Sequence, residues 1–325
     1  PAPSGVPRAG RASARSALMR SVVFAYSDVG YVCLETLLAQ GAEIAAVVTH
    51  DDDPGEQVWF RSVRGLAERH GLPVFTDARV DTPEWLARLR GWQPDFLFSF
   101  YYRRLLPPAV LDCARRGAFN LHGSLLPRYR GRCPVNWVLI HGETETGVTL
   151  HYMVARADAG DIVAQRRVPI ADDDTAHRLY GKLTDAAAAL LRETYPRLCD
   201  GSAPRVRQDL SQGSYFGGRT PADGRIDWRQ SARQIYNLVR AVARPYPGAT
   251  TRWQHRELTI WWAQPTAGGR NAPPGTIVGI DDEGFTLQTG DGGLRALRVQ
   301  LDGEPESTAA AWARRHDVKE GTVFT

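Results

Sequence analysis

A chain of 325 residues, 43% of them hydrophobic, can bury more than one core. Its formal charge of +4 includes Arg8, Arg11 and Arg15 in residues 1–18, a stretch without an acid; the remainder is nearly neutral and gives no clustered basic signal for a nucleic-acid partner. No apolar run reaches the length of a membrane span, and the scattered Cys33, Cys113, Cys133 and Cys199 form neither a disulfide framework nor a zinc-spaced set.

Cysteine usage of this kind suits a reducing compartment, the cytoplasm. Residues 1–18, rich in Pro, Ala, Ser and Arg and lacking an apolar h-region, read as a disordered extension rather than a secretory signal. From Met19 short β-rich runs alternate with helical segments. Strands are expected at residues 21–26, 42–48, 73–75, 95–100 and 117–121, with an acidic Gly/Pro-containing loop at 51–57. Helices are expected through Leu34, Leu37 and Leu38, through Val63, Leu66 and Ala67, and over 83–89 and 107–115. Residues 146–153 and 162–168 read as a strand pair flanking a turn at Asp158, and 175–198 as a long helix. This alternation predicts an α/β, doubly wound, mostly parallel Rossmann-like sheet, whose ligands collect at the carboxyl ends of strands.

Beyond a loop at 215–224 the texture changes. A helix near 232–242 precedes short strands at 249–253, 258–262, 275–280, 285–289 and 294–301, separated by Gly and Asp. That spacing predicts a small, OB-like C-terminal β-barrel. The expected division is an extension over 1–18, a catalytic domain over 19–221 and the barrel domain over 222–325.

Several chemistries are excluded. Ser27-Asp28-Val29-Gly30 offers one glycine where a dinucleotide fold needs three. There is no phosphate-binding G-x-x-x-x-G-K loop and no H-E-x-x-H, Ser124 is not in a G-x-S-x-G elbow, and no metal is expected. Asn120, His122 and Asp158 remain. Asn120 and His122 lie two apart at a strand end, so they share a face if the strand reaches His122. An amide can donate to a carbonyl oxygen as it becomes an anion, an imidazole can relay a proton, and a carboxylate beside it favours its charged form. The set suits direct acyl transfer to an amine, without a covalent nucleophile. The same residue types also serve as turn and strand-end hydrogen-bonding groups, so spacing alone leaves a structural role open.

Asn120-Leu-His122-Gly-Ser-Leu-Leu-Pro127-Arg-Tyr-Arg-Gly131, Gly147-Val-Thr-Leu150 and Ala157-Asp158-Ala-Gly160-Asp-Ile162 resemble the formyltransferases that use 10-formyltetrahydrofolate. Phe98-Ser-Phe-Tyr-Tyr-Arg103 and Arg130-Gly-Arg132-Cys-Pro-Val-Asn136-Trp137 bring the resemblance nearest to the formyltransferase domain of bifunctional polymyxin-resistance enzymes. It covers the chain from about Met19 through the barrel. The resemblance implies catalytic roles for His122 (proton transfer), Asn120 (oxyanion) and Asp158 (support of the imidazolium). It implies a folate site on Arg104, Leu105, Leu106, Arg132 and the loop Val154, Ala155, Arg156, Ala157, Asp158. Tyr102, Asn136 and Arg219 are candidate contacts to a nucleotide-sugar substrate.

The implied reaction is formyl transfer to the 4-amino group of UDP-4-amino-4-deoxy-L-arabinose, in lipid A modification and polymyxin resistance, by a bacterial cytoplasmic enzyme with a homodimer left open. The alternatives are another nucleotide-linked amino sugar, or methionyl-tRNA. A tRNA enzyme calls for a basic barrel, whereas residues 222–325 carry thirteen Lys and Arg against twelve Asp and Glu. Arg104 departs from the nearest relatives, where a His is expected, and Cys133 stands where Ala is common. The chain leaves no room for the dehydrogenase domain of the bifunctional enzymes, so the oxidative step is expected of another polypeptide.

Overall fold

The apolar runs of the first half form strands buried on both faces, as a parallel sheet covered by helices requires. The computed structural model describes residues 19–52, 55, 58–76, 79–267 and 271–325. The extension expected over 1–18, and residues 53–54 and 56–57 of the loop expected at 51–57, lie outside them. In chain order come β1 (Arg20–Ala25), α1 (Ser27–Ala39), β2 (Glu43–Val48), α2 (Val63–Arg69), β3 (Val74–Phe75), α3 (Pro83–Trp92), β4 (Phe96–Phe100), α4 (Pro108–Leu111) and β5 (Gly117–His122). β6 (Arg130–Gly131), α5 (Pro134–Ile140), β7 (Glu145–Tyr152), β8 (Ile162–Pro169), α6 (Ala176–Asp200) and β9 (Tyr215–Phe216) follow.

The main sheet has the order β3-β2-β1-β4-β5-β7-β8. Its first five strands are parallel, β7 is antiparallel to β5, and β8 to β7. The chain works outwards from β1 in both directions. The boundary between β1 and β4 is therefore a topological switch point, and the loops leaving β1, β4 and β5 open on one crevice. α6 covers this sheet through an apolar stripe that includes Leu179, Leu183, Leu190 and Leu191. Thr175 caps its start by accepting the Arg178 N–H, and Gly201, at φ 81°, ends it in the left-handed conformation.

α4 is shorter than the helix expected over 107–115. The N–H groups of Arg115 and Arg116 are taken by the carbonyls of Pro94 and Asp95, which draw the chain off the helix and into β5.

The C-terminal part begins with α7 (Ala232–Val242), whose start is a capping box between Ser231 and Gln234. β10 (Ala249–Trp253), β11 (Arg256–Thr266), β12 (Ile277–Ile280), β13 (Phe285–Gln288), β14 (Gly293–Leu301), β15 (Ser307–Thr308) and α8 (Ala309–Arg315) complete it. The strands pair antiparallel in the order β10-β11-β14-β13-β12, with β15 on β14. The last residues close this sheet towards a barrel: Thr325 exchanges both backbone hydrogen bonds with Arg252 at β10, while Phe324 donates to Gly275 and Thr322 accepts from Ile277 beside β12. A separate core of Ile235, Leu258, Phe285, Val299 and Trp312 fills this part. Ile140 and Tyr246 pack against both cores.

Candidate active site

β5 reaches His122, so Asn120 and His122 do share a face. The antiparallel pairing with β7 sets Asn120 opposite His151, and His122 opposite Thr149. Thr149 then latches the following loop. Its hydroxyl donates to the Ser124 carbonyl (2.7 Å) and accepts from the Leu126 N–H (3.2 Å) and Gln165 Nε2 (2.9 Å).

Hydrogen bonds place one hydrogen on each imidazole. His122 Nε2 lies 2.7 Å from the Tyr129 carbonyl oxygen, which can only accept. Nε2 therefore carries a hydrogen, and the lone pair of the neutral ring falls on Nδ1, 3.7 Å from Asp158 Oδ1. His151 is the mirror case. Its Nδ1–H donates to the Tyr152 carbonyl (2.8 Å), leaving Nε2 to accept from Asn120 Nδ2 at 3.0 Å. That same Nε2 is 3.6 Å from Asp158 Oδ1. One carboxylate thus faces two buried imidazoles.

Asp158 sits in the loop between β7 and β8 with φ 52°. Its Oδ2 accepts the Gly131 N–H (2.8 Å) and its carbonyl accepts Gln208 Nε2 (3.0 Å). Gly131 is glycine of necessity, since φ is 98° and a Cβ would overlap the Phe216 carbonyl oxygen. Burial pushes the Asp158 carboxyl up, but His122, His151 and the Gly131 N–H outweigh it and hold the group well below the usual carboxylate range. Asp158 is charged at neutral pH.

These groups line a cavity of about 710 Å³. Arg104, Leu105, Leu106, Arg132, Val154, Ala157 and Asp158 all lie on its wall. Leu105 (76% exposed) and Val154 (43%) leave apolar surface at the rim, uncovered by protein. Tyr102 lines it too, stacked on His50 with ring centroids 4.2 Å apart. Burial and the neighbouring Arg104 and Arg103 push His50 down to about 4, so it is a neutral acceptor for the Arg103 N–H. Asn136 reaches the wall, but its Nδ2 donates to the Ala241 carbonyl (2.7 Å), tying α5 to α7 rather than pointing at a ligand.

Three expected contacts are not brought to the wall. Ala155 and Arg156 are exposed on a turn closed by the Ala159 N–H to the Arg156 carbonyl, which faces them outwards. Arg219 is held over Trp137 and donates to the Asp223 carbonyl. A second depression of about 570 Å³, around Asp28, Trp59, His177 and Asp185, adjoins the cavity but carries no convergent amide, imidazole and carboxylate.

Residues 19–195 match the family described as formyl transferase, and residues 219–317 match formyl transferase, C-terminal domain. This chain belongs to the formyl transferase family. Solved structures agree at the level of fold. One is the N-formyltransferase from Helicobacter canadensis in complex with folinic acid and dTDP-3-aminofucose, 21% identical over 86% of this chain and 99% of that one, with a TM-score of 0.63. Another is WlaRD, a sugar 3N-formyl transferase studied with dTDP and 5-N-formyl-THF, 19% identical over 89% and 99%, TM-score 0.66. HypX from Aquifex aeolicus matches 94% of this chain at 19% identity and a TM-score of 0.62, while the chain spans 49% of HypX.

For a formyl transferase the constellation is chemically sufficient: an amide donor, an imidazole with one open nitrogen and a fixed negative charge. Among the described residues no group of three or more His, Cys, Asp and Glu is placed to hold a metal ion, and no helix is long and apolar enough to cross a membrane. Sequence reasoning missed His151, although the alternation in Thr149-Leu150-His151 puts it on the face of Thr149. It also missed the aromatic part of the wall formed by Trp59, Phe60, Tyr101, Tyr180 and Tyr246.

Proposed function

We propose that this formyl transferase carries a formyl group from 10-formyltetrahydrofolate to the amine of a nucleotide-linked amino sugar, and that the acceptor is UDP-4-amino-4-deoxy-L-arabinose, in the lipid A modification that confers polymyxin resistance. The observation that carries the reading is the single ionised Asp158 between two buried imidazoles, with the Asn120 amide beside them on a cavity wall. The residues fit a pterin donor. Leu105, Leu106 and Val154 offer apolar surface, and Arg104 and Arg132 offer charge for the donor's carboxylates.

In the reaction the neutral amine attacks the formyl carbon, and the carbonyl electron pair moves to oxygen. Asn120 donates an N–H to that oxygen as it becomes an anion. His122 takes the ammonium proton on Nδ1, where Asp158 stabilises the imidazolium. The oxyanion then collapses, the bond from carbon to the folate nitrogen breaks, and His122 returns the proton to that nitrogen. The near-neutral barrel supports a nucleotide sugar over tRNA, because phosphate-backbone binding needs net positive surface.

The test is incubation with 10-formyltetrahydrofolate and, in parallel, UDP-4-amino-4-deoxy-L-arabinose, dTDP-linked 3- and 4-amino sugars, or charged initiator tRNA. Tetrahydrofolate release and the mass of the acceptor are followed. The UDP sugar should react with the highest kcat/KM, and His122→Ala or Asn120→Ala should each lower kcat by roughly a hundredfold. Preferential formylation of tRNA would reject the acceptor, and wild-type turnover in either variant would reject the mechanism.

A further inference from the structure

The Asn120 amide has two nearly isosteric ends, a donor and an acceptor. Only the donor end helps a carbonyl oxygen that is gaining charge; the acceptor end repels it. Something must hold the amide the right way round. Among the described residues the one side chain hydrogen-bonded to it is His151, whose Nε2 lies 3.0 Å from Asn120 Nδ2.

Resting on the functional reading above, we propose that His151 is a positioning residue that fixes the orientation of the Asn120 amide. His151 Nδ1 lies 2.8 Å from the Tyr152 carbonyl, so it must donate, and in the neutral ring Nε2 is left with a lone pair. An imidazole in that state accepts only the NH2 end of Asn120, and the second Nδ2–H stays available on the cavity side. The ring cannot turn over to change this, because it is 1% exposed and β7 is held on both flanks by β5 and β8. The register of β5 and β7 sets the two residues directly opposite each other.

His151 acts through Asn120, so its loss should appear in turnover rather than in affinity. His151→Leu should lower kcat about 10- to 100-fold with both KM values within about threefold of wild type. His151→Gln, whose Oε1 can accept the same N–H, should return kcat to within about fivefold of wild type. The double variant Asn120→Ala/His151→Leu should be no more than about twofold slower than Asn120→Ala alone. Losses that multiply in the double variant, or a folded Gln variant as slow as the Leu variant, would overturn the assignment.

A readout independent of turnover accompanies these. With 15N-asparagine labelling the chain shows four side-chain amides, and the Asn120 pair is the one missing from Asn120→Ala. In the wild type one of its protons should exchange slowly with solvent, and in His151→Gln it should stay protected. Rapid exchange of both protons in the wild type rejects the contact, even if formyl transfer is confirmed. A wild type that formylates no amine rejects the functional reading while the amide spectrum still reports on His151. If His151→Leu does not fold, the Gln variant and the amide spectrum carry the test.

Discussion

Replacing Asp158 by Asn tests the electrostatic core of the site with little change of shape. The Asn oxygen can keep the 2.8 Å bond from the Gly131 N–H, so the loop should hold. The other end changes sign, because an NH2 group stands where Oδ1 faced His122 Nδ1 at 3.7 Å. At an effective dielectric of about 20, a unit charge pair at that distance is worth about 4.5 kcal/mol. Some of that is recovered by the amide dipole and by water entering the cavity, which leaves a loss of about 2–4 kcal/mol when His122 is protonated in the reaction. The amide hydrogens would also occupy the Nδ1 lone pair that takes the proton. Together these predict a fall in kcat of roughly 30- to 900-fold. The assay is tetrahydrofolate release at saturating donor and acceptor, with both KM values determined and thermal unfolding followed by circular dichroism. Turnover within about threefold of wild type, or a loss confined to KM, would refute the role given to the charge.

Stability should follow the same carboxylate. The folded Asp158 is held below its ordinary range, so its contribution is complete above the unfolded value near 4 and is lost as the pH falls. The Tm gap between wild type and Asp158→Asn should be widest at neutral pH and shrink towards pH 3; a gap that grows in acid would reverse the sign of the argument. Gly160→Ala drives a Cβ onto the Tyr152 carbonyl oxygen, displacing the loop that carries Asp158. It should abolish most turnover and cost about 1–3 kcal/mol in denaturant titration, and a fully active variant would show that the loop does not need this close approach. Phe324→Ala removes a ring that is 2% exposed and stacked on Phe285, at the seam where the C-terminal residues close the barrel. A loss of about 3–5 kcal/mol is expected in unfolding monitored by tryptophan fluorescence, and less than about 1 kcal/mol would mean that the seam is not tightly packed.

Much of this architecture was legible because buried parallel strands must be apolar along their length. The runs expected at 21–26, 42–48, 95–100 and 117–121 could be placed from composition and period alone, and the strands end within one residue of them, at Ala25, Val48, Phe100 and His122. The outward turn of Ala155 and Arg156, the early end of α4 and the closing of the barrel by its last residues were not legible. The last two depend on backbone hydrogen bonds between distant segments, and the turn on a single local bond from the Ala159 N–H to the Arg156 carbonyl; pairings of so few residues leave no periodic signal. Asn136 shows the same limit at a side chain, since its amide is spent on the Ala241 carbonyl, 105 residues away.

His151 makes the argument sharpest. Asn120 and His122 were recoverable because a shared face follows from a spacing of two, which is local. The partnership of Asn120 with His151 depends on register, which is not. A slip of one residue between β5 and β7 would bring Leu150 opposite Asn120 and turn both His151 and Thr149 to the other face. The register is pinned by Leu121, Val148 and Leu150, which are buried in the first core, and by the Thr149 hydroxyl that latches the loop after Ser124. The residues that make the site are thus set by neighbours with no chemical part in it. The imidazole bound to the Asn120 amide can be found only once the strands are paired.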